Sequence, residues 1–460
     1  MHALAPTVPS IVSALASALA PGALITDPDV LAGHARDHAP TVPAGRALAM
    51  VRARSEADVV ATLQLAHAQR VPVVPRGAGT GLSGGANAID GCVLLDLSRM
   101  DRILELDAPG RTATVEPGVL NGALAEAVRA AGLFYAPDPS SRDISTLGGN
   151  VATNAGGACC LKYGVTGDHV LALRAILADG TPLAVGARTR KDVAGLDLKR
   201  LLVGSEGTLA VVTRITLRLL PAPPPRATLI AFFDTLPAAG AAVDALVRGE
   251  DLALVELMDR TTLGAVEAMA ALGLDPDAAA MLLVQSDARD AEQVVRRCEA
   301  LAEAAGGRDG YATGDADEGR MLLQARRMAL PALERLGTPL LDDVCVPPAS
   351  LPAMVAACER AAEETGLTIG TFGHAGDGNL HPTIVHDATD PASVAAAERA
   401  FDAIVHAALT LGGTVTGEHG VGLLKRRHLA EALGGAERAL MGRIKAAFDP
   451  HGILNPGKAF

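Results

Sequence analysis

The chain contains no tryptophan, and aromatic residues make up only 2% of its 460 positions. A protein that stacks single-stranded bases needs aromatic platforms, so that class is disfavoured from the outset. Positive charge is also scarce: 40 Lys and Arg face 52 Asp and Glu, for a net charge of −12. Nucleic-acid backbones are bound by displacing counterions from a basic surface, which this balance does not supply. Six cysteines stand at 92, 159, 160, 298, 345 and 358, with no pair at C-x-x-C spacing. Neither a zinc ribbon nor an iron–sulfur cluster is indicated, and reduced thiols in a cytoplasmic protein are the plain reading. The neighbours Cys159 and Cys160 would close only a strained disulfide, so they read as buried thiols packed beneath a loop. No apolar run reaches the length of a membrane span, because Asp, Glu, Arg, Gly or Pro interrupts the Ala-rich stretches. The apolar stretch Ile11 to Ala20 lacks the Lys/Arg start of a secretory signal and fits a first domain helix better. No repeat of about 20–50 residues is present.

What remains is a globular composition, 49% hydrophobic and 20% charged. The length calls for more than one core. The sharpest break is Pro221-Ala222-Pro223-Pro224-Pro225-Arg226, where consecutive prolines stop both helix and central strand. The expected organisation is residues 1–220, a second unit over 221–411, and a C-terminal segment over 412–460. Before the linker the pattern is strand, helix, strand: Ala47 to Val51, a helix capped by Ser55 with Asp58 three residues on, then Val71 to Val74. The class is therefore α+β.

Val74 leads into a loop with five glycines among residues 77–85. Glycine lets backbone N–H groups approach an anion, and a pyrophosphate is the natural guest. A Rossmann fingerprint needs a helix to start here, yet the buried-strand run Cys92 to Leu97 follows instead. A Walker loop is absent as well. The expectation is an anion held by loop amides without a long helix dipole. Alone, such a loop serves a tight turn as readily as a nucleotide. Two more loops, Leu147 to Gly157 and Val203 to Leu209, suggest one long ligand threaded between two lobes, and FAD fits.

The motifs PRGAGTGLSGG (75–85), PDPSSRDISTLGGNVATNAGG (137–157) and GSEGTLAVVT (204–213) resemble those of the FAD-linked oxidase family of vanillyl-alcohol-oxidase type. That family includes glycolate oxidase flavoprotein subunits, D-lactate dehydrogenases and D-2-hydroxyglutarate dehydrogenases. The resemblance spans residues 40 to 460. It implies a two-lobed FAD-binding domain plus an α+β substrate (cap) domain. It also implies that Arg76, Gly77, Ala78, Gly79, Thr80, Gly81 and Ser83 cradle the pyrophosphate. Pro137, Asp138, Thr146, Gly149, Asn150, Thr153, Asn154, Gly157, Glu206 and Val212 would line the rest of the FAD, with Asn455 near the flavin. Some relatives tether the flavin through a His in the first loop. No His or Cys occurs in 75–85, so the FAD is expected to be non-covalent.

The run His374-Ala375-Gly376-Asp377-Gly378-Asn379-Leu380-His381 carries a second signal. Asp377-Gly378 reads as a two-residue hairpin turn, which would set His374 directly opposite His381. Opposed residues share a sheet face with Cβ atoms about 4.5–5.5 Å apart, close enough to chelate one ion. Two histidines merely flanking a turn are the plain alternative. Gly417-Glu418-His419-Gly420 offers a carboxylate and a free imidazole. Two His and one Glu leave coordination sites open, the mark of a catalytic ion. The resemblance assigns His374, His381 and Glu418 to Zn²⁺ or Mn²⁺ and makes His419 the general base. It also places Arg326 on the substrate carboxylate, where the bland reading is a solvated helix face. Leu330 and Leu341 stand where the hydroxyglutarate branch would be polar, which leans toward a smaller monocarboxylate.

The expectation is thus a metal-assisted FAD-dependent dehydrogenase of a D-2-hydroxy acid, D-lactate or glycolate first. D-2-hydroxyglutarate dehydrogenase and the flavoprotein subunit of a multi-subunit glycolate oxidase are the alternatives. A non-redox flavoprotein transferase of the same fold, a flavin-free metallohydrolase and a non-catalytic subunit are the rivals. Electrons must leave to an external acceptor: a quinone, a cytochrome, an electron-transfer flavoprotein or a partner subunit. Peripheral membrane attachment and a homodimer both stay open.

Overall fold

The computed structural model describes residues 10–189 and 191–460. Four strands form the first sheet: β1 (Leu24–Ile25), β2 (Ala49–Arg52), β3 (Val73–Arg76) and β4 (Val93–Asp96), in the order β1-β2-β4-β3. β2, β4 and β3 run parallel. Parallel strands covered on both faces read as unbroken apolar runs, and all four residues of β4 are buried. The helix Glu56–Gln69 connects β2 to β3, and Ser55 and Asp58 form the capping box its sequence anticipates. Val59, Leu63 and Ala66 of that helix share a core with Ile11 and Leu15 of the helix Ile11–Ala18.

The chain then forms β5 (Ile103–Asp107), β6 (Thr112–Val115), β7 (Leu133–Phe134), β8 (Val170–Ile176), β9 (Pro182–Gly186), β10 (Val211–Arg218) and β11 (Leu220–Pro221). Five of these make an antiparallel sheet, β5-β6-β10-β8-β9, and β7 pairs with β11. Beyond the prolines lie β12 (Ala227–Phe233), β13 (Leu254–Asp259), β14 (Ala280–Ser286), β15 (Gly307–Thr313), β16 (Thr338–Leu341), β17 (Val344–Cys345), β18 (Thr368–His374) and β19 (Asn379–His386). They build one sheet, β15-β12-β14-β13-β18-β19-β16, with β17 also on β19. Its two faces bury different partners. Val255 and Leu257 of β13 join Leu246, Val294, Met354 and Phe401 of the covering helices. Leu254 and Met258 join Leu263, Leu333 and Phe372 on the other side. The architecture is α+β, as expected.

Two features bring the far end of the chain back. Ile453 and Leu454 lie beside β3, where Val73 donates to the Ile453 carbonyl and Asn455 to the Val73 carbonyl, both at 2.8 Å. Both belong to the core of the first lobe. No helix among the described residues is long and apolar enough to cross a membrane.

Candidate active site

The glycine-rich segments meet in a cleft. Its walls are Gly77 to Ser83, Pro139 to Ser141, Thr146, Gly149, Asn150, Thr153 and Glu206, with Glu418 and His419 at one end. No helix interrupts residues 77–92, so this wall is loop. Gly79 takes φ +75°, and a Cβ there would strike the Arg76 guanidinium. Arg76 is turned beneath its own loop, with Nη1 donating to the Arg36 carbonyl at 3.0 Å. It braces the loop, and it lines a neighbouring hollow together with Val212.

The second segment differs from its reading as a loop. Leu147–Thr153 is a short helix capped by Thr146, whose Oγ1 accepts from Gly149 at 3.3 Å. A Thr N-cap ahead of small residues suffices to start the turn. Besides Arg76 and Val212, five more residues expected to line the cofactor site are absent from the cleft walls. The Pro137 carbonyl accepts from Asn121 at 3.2 Å. Asp138 is spent on Cys159, from its backbone N–H at 3.1 Å and its thiol at 3.4 Å. Asn154 caps the short helix with φ +55° and accepts from Gly167 at 2.8 Å. Gly157 packs on the Asp138 backbone. Asn455 donates to the carbonyls of Glu206 at 2.7 Å and Gly85 at 3.0 Å, so it fastens two loops rather than facing a guest. Cys159 and Cys160 are free thiols, and Cys159 is buried.

At the end marked by Glu418 and His419, His374 and His381 converge on the Glu418 carboxylate. His374 Nε2 lies 3.2 Å and His381 Nε2 3.4 Å from Glu418 Oε1, and His419 Nε2 is 3.8 Å from the same oxygen. The hairpin register departs from the two-residue turn. Residues 375–378 all belong to the turn, and β18 and β19 pair His374 with Asn379 and Phe372 with His381. His374 and His381 are diagonal rather than opposed. The turn is wide because its backbone is used elsewhere: Gly376 donates to Val255 and Val346 donates to Gly378, both at 3.0 Å. The shift is even, so both histidines keep one face, and diagonal neighbours remain within reach of long side chains. Their ring centroids are 5.2 Å apart.

The loop carrying Glu418 and His419 is tied to the glycine segments. Ser83 donates to the His419 carbonyl at 3.2 Å. Glu206 accepts from Val421 at 2.7 Å and Gly422 at 2.9 Å. A Cβ on Gly156 would sit 2.7 Å from Glu418 Oε2, so the second segment touches the carboxylate only because it is glycine there. These ties bring the cofactor loops and the histidine cluster into one site.

Three residues that the motifs do not single out complete it. Glu256 of β13 accepts from His374 Nδ1 at 2.6 Å and pairs with Arg326 Nε at 2.8 Å. Asp343, fully buried, accepts three successive backbone N–H groups, from Gly417, Glu418 and His419, each at 2.9 Å. Its other oxygen lies 3.6 Å from His381 Nδ1. Asp37 lines the cleft, with Oδ1 accepting from Ala39 at 3.0 Å. Arg326 is buried beside the cluster and, like His374 and His381, is not among the residues that line the cleft; its guanidinium lies 4.7 Å above the Phe372 ring.

Burial dominates the charges here, and the partners decide the sign. Burial pushes the Glu418 carboxyl up, yet the two imidazoles bonded to it hold it well below the usual range. Burial alone pulls His374 down, and the Glu256 and Glu418 carboxylates reverse this and raise it well above its ordinary value. His381, buried and beside two other imidazoles, is depressed to about 4. Burial opposes the Asp343 charge, but His419, Lys425 and His381 keep it well below the carboxylate range. Burial pushes Asp37 up.

This donor set, two imidazole Nε2 atoms and a carboxylate among buried anions, suits a divalent cation such as Zn²⁺ or Mn²⁺. The cleft of backbone amides and small residues suits a flavin dinucleotide.

Residues 47–186 match the FAD binding domain family, and residues 222–459 match the C-terminal domain of FAD linked oxidases. The chain is 42% identical over 416 residues to glycolate oxidase subunit GlcD of Bacillus subtilis (strain 168), covering 90% of this chain and 88% of that one. It is 36% identical over 428 residues to D-lactate dehydrogenase of Archaeoglobus fulgidus, covering 92% and 94%. Among solved structures, p-cresol methylhydroxylase with substrate bound superposes at a TM-score of 0.80, covering 98% of this chain and 96% of that chain. At 17% identity that likeness concerns the fold alone.

Proposed function

Since the chain belongs to the FAD-linked oxidase family and is an FAD-dependent oxidoreductase, we propose that it oxidises a D-2-hydroxy acid, D-lactate or glycolate first, to the 2-oxo acid. The observation that carries this reading is the convergence of three imidazoles on Glu418 Oε1 at the mouth of the glycine-lined cleft.

FAD, held non-covalently by Gly77 to Ser83 and the segments facing them, supplies the acceptor for the α-hydrogen when bound. A divalent cation on His374, His381 and Glu418 supplies Lewis acidity toward the α-hydroxyl when bound. The chain's own residues do the rest. Arg326 orients the substrate carboxylate with its planar fork. His419 takes the hydroxyl proton as general base. Its Nδ1 lies 3.9 Å from Asp343 Oδ2, which favours a proton there and leaves Nε2 as the acceptor. Electrons leave to an external acceptor: a quinone, a cytochrome, an electron-transfer flavoprotein or a partner subunit.

Leu82 borders both the cleft and a small hollow, which the side-chain end of the substrate would enter. Leu330, Leu341 and Leu424 line that hollow with His38 and Glu334, and its described lining includes no Lys or Arg. A second carboxylate would be left unpaired there, which favours a monocarboxylate over 2-hydroxyglutarate. The likeness to glycolate oxidase subunits supports a second reading, the flavoprotein subunit of a multi-subunit enzyme. A panel of D- and L-2-hydroxy acids, scored by anaerobic bleaching of the flavin, tests the assignment. D-lactate or glycolate should bleach without a partner. Bleaching by none of them, or by L-isomers only, would overturn it.

A further inference from the structure

We propose that Glu256 is a positioning residue that joins the metal-binding arm of the site to its carboxylate-binding arm. The proposal rests on the functional reading above and adds a residue to it. Glu256 sits in the middle of β13, between Leu254 and Met258 on the same apolar face. It is 1% exposed. An aliphatic side chain would fill that place at less cost, because desolvating a carboxylate can exceed what its ion pairs return. The position therefore needs another reason.

Geometry supplies it. The sheet register sets Glu256 directly opposite His374, so the backbone fixes their approach. Oε1 accepts from Nδ1 of His374 at 2.6 Å, so Nε2, which faces Glu418, is the ring atom that can turn to a cation once its own proton leaves. A carboxylate behind a metal-ligating histidine fixes its tautomer and ring orientation. Oε2 lies 2.8 Å from Arg326 Nε as an ion pair, without the alignment of a hydrogen bond. With Nε facing Glu256, the Nη1 and Nη2 end of the guanidinium is the edge left for a substrate carboxylate. Phe372, two residues before His374 on β18, holds the guanidinium plane from beneath. One carboxylate thus fixes both the ligand atom of His374 and the free edge of Arg326. The distance between cation and guanidinium becomes a property of Glu256.

Glu256→Gln tests this in the FAD-loaded enzyme. The amide has one oxygen, so it must present N–H₂ to one of two donors. Zn²⁺ affinity, read by competition with a chromogenic chelator, should weaken about 10–100-fold. Pyruvate affinity, read from the flavin spectrum, should weaken by about 10-fold or more in the same variant, as expected from losing a charged hydrogen bond. FAD content should stay stoichiometric. Arg326→Gln should weaken pyruvate and leave Zn²⁺ unchanged. Glu256→Asp keeps the charge but is too short for both partners, so it should regain thermal stability without regaining both affinities. A Glu256→Gln enzyme that loses only thermal stability, or only one of the two affinities, would overturn the proposal. A wild-type enzyme that binds no Zn²⁺ would instead overturn the functional reading on which it stands.

Discussion

His381 and His419 stack ring on ring, with centroids 4.9 Å apart and 15° between their planes. One imidazole is placed to hold a cation and the other to take a proton, and neither ring can turn without disturbing its neighbour. Asp343 lies under both, 3.6 Å from His381 Nδ1 and 3.9 Å from His419 Nδ1.

Replacing His419 by Ala removes the base and leaves the ligands of the cation in place. Anaerobic flavin bleaching by D-lactate should slow by about 10²–10⁴-fold, the usual worth of a positioned general base. FAD and zinc contents, measured by absorbance and elemental analysis, should not change. Bleaching at the wild-type rate would remove His419 from the chemistry.

Metal uptake should release about one proton at pH 7, because ligands must shed protons to bind. His374 carries the proton to be lost, since Glu256 and Glu418 outweigh burial and raise it well above its ordinary value. His381, depressed to about 4 by burial, and the already ionised Glu418 contribute none. Affinity should therefore tighten as pH rises through neutrality. The metal-free protein behaves oppositely at this residue: the stabilisation from protonated His374 is complete below pH 6.5 and disappears as pH rises through the elevated folded value. Calorimetry in buffers of different ionisation enthalpy counts the protons. A count of zero or two would contradict this assignment.

Asp343→Asn keeps the shape of the side chain and removes its charge. Besides the three backbone N–H groups, Oδ2 accepts from Thr416 at 2.7 Å and Oδ1 from Asn379 at 2.8 Å. Breaking such a buried charged network costs about 3–5 kcal/mol. Thermal denaturation should show a clear loss, and zinc affinity should drop as the loop bearing Glu418 loosens. An unchanged melting temperature would show that the loop holds its shape without the charge.

Acid precipitation should leave the yellow chromophore in the supernatant, because no His or Cys lies in residues 75–85 to tether it. Flavin absorbance in the washed pellet would mean a covalent link elsewhere.

The motifs that were legible in the sequence are those with local spacing. The first glycine loop, the capped helix after Ser55 and the pair His374 and His381 could be read from residues close together in the chain, whereas Glu418, far along from both, came in through the family resemblance. The hairpin register could not, because its turn is widened by bonds to Val255 and Val346, more than a hundred and about thirty residues upstream. Asp138 looked like a ligand-facing polar residue in a Pro-rich loop, and only the fold shows Cys159 consuming it. Glu256 offered one faint clue, a lone acid within the apolar run Leu252 to Met258. Such an acid must be paired if buried. Which cations pair with it is fixed by β18 and by the helix Ala316–Arg327, neither of which is near it in sequence. Asp343 is likewise defined by a loop that follows much later.

The pairing of Val73 with the segment Ile453 to Asn455 has a consequence for biosynthesis. The strand that launches the first glycine loop gains its outer neighbour only after the several hundred residues between them have been translated. At ordinary elongation speeds that delay is tens of seconds. Throughout it, the half-formed first lobe carries an unpaired strand edge, the kind of surface on which another chain can pair, until Ile453 to Asn455 cover it.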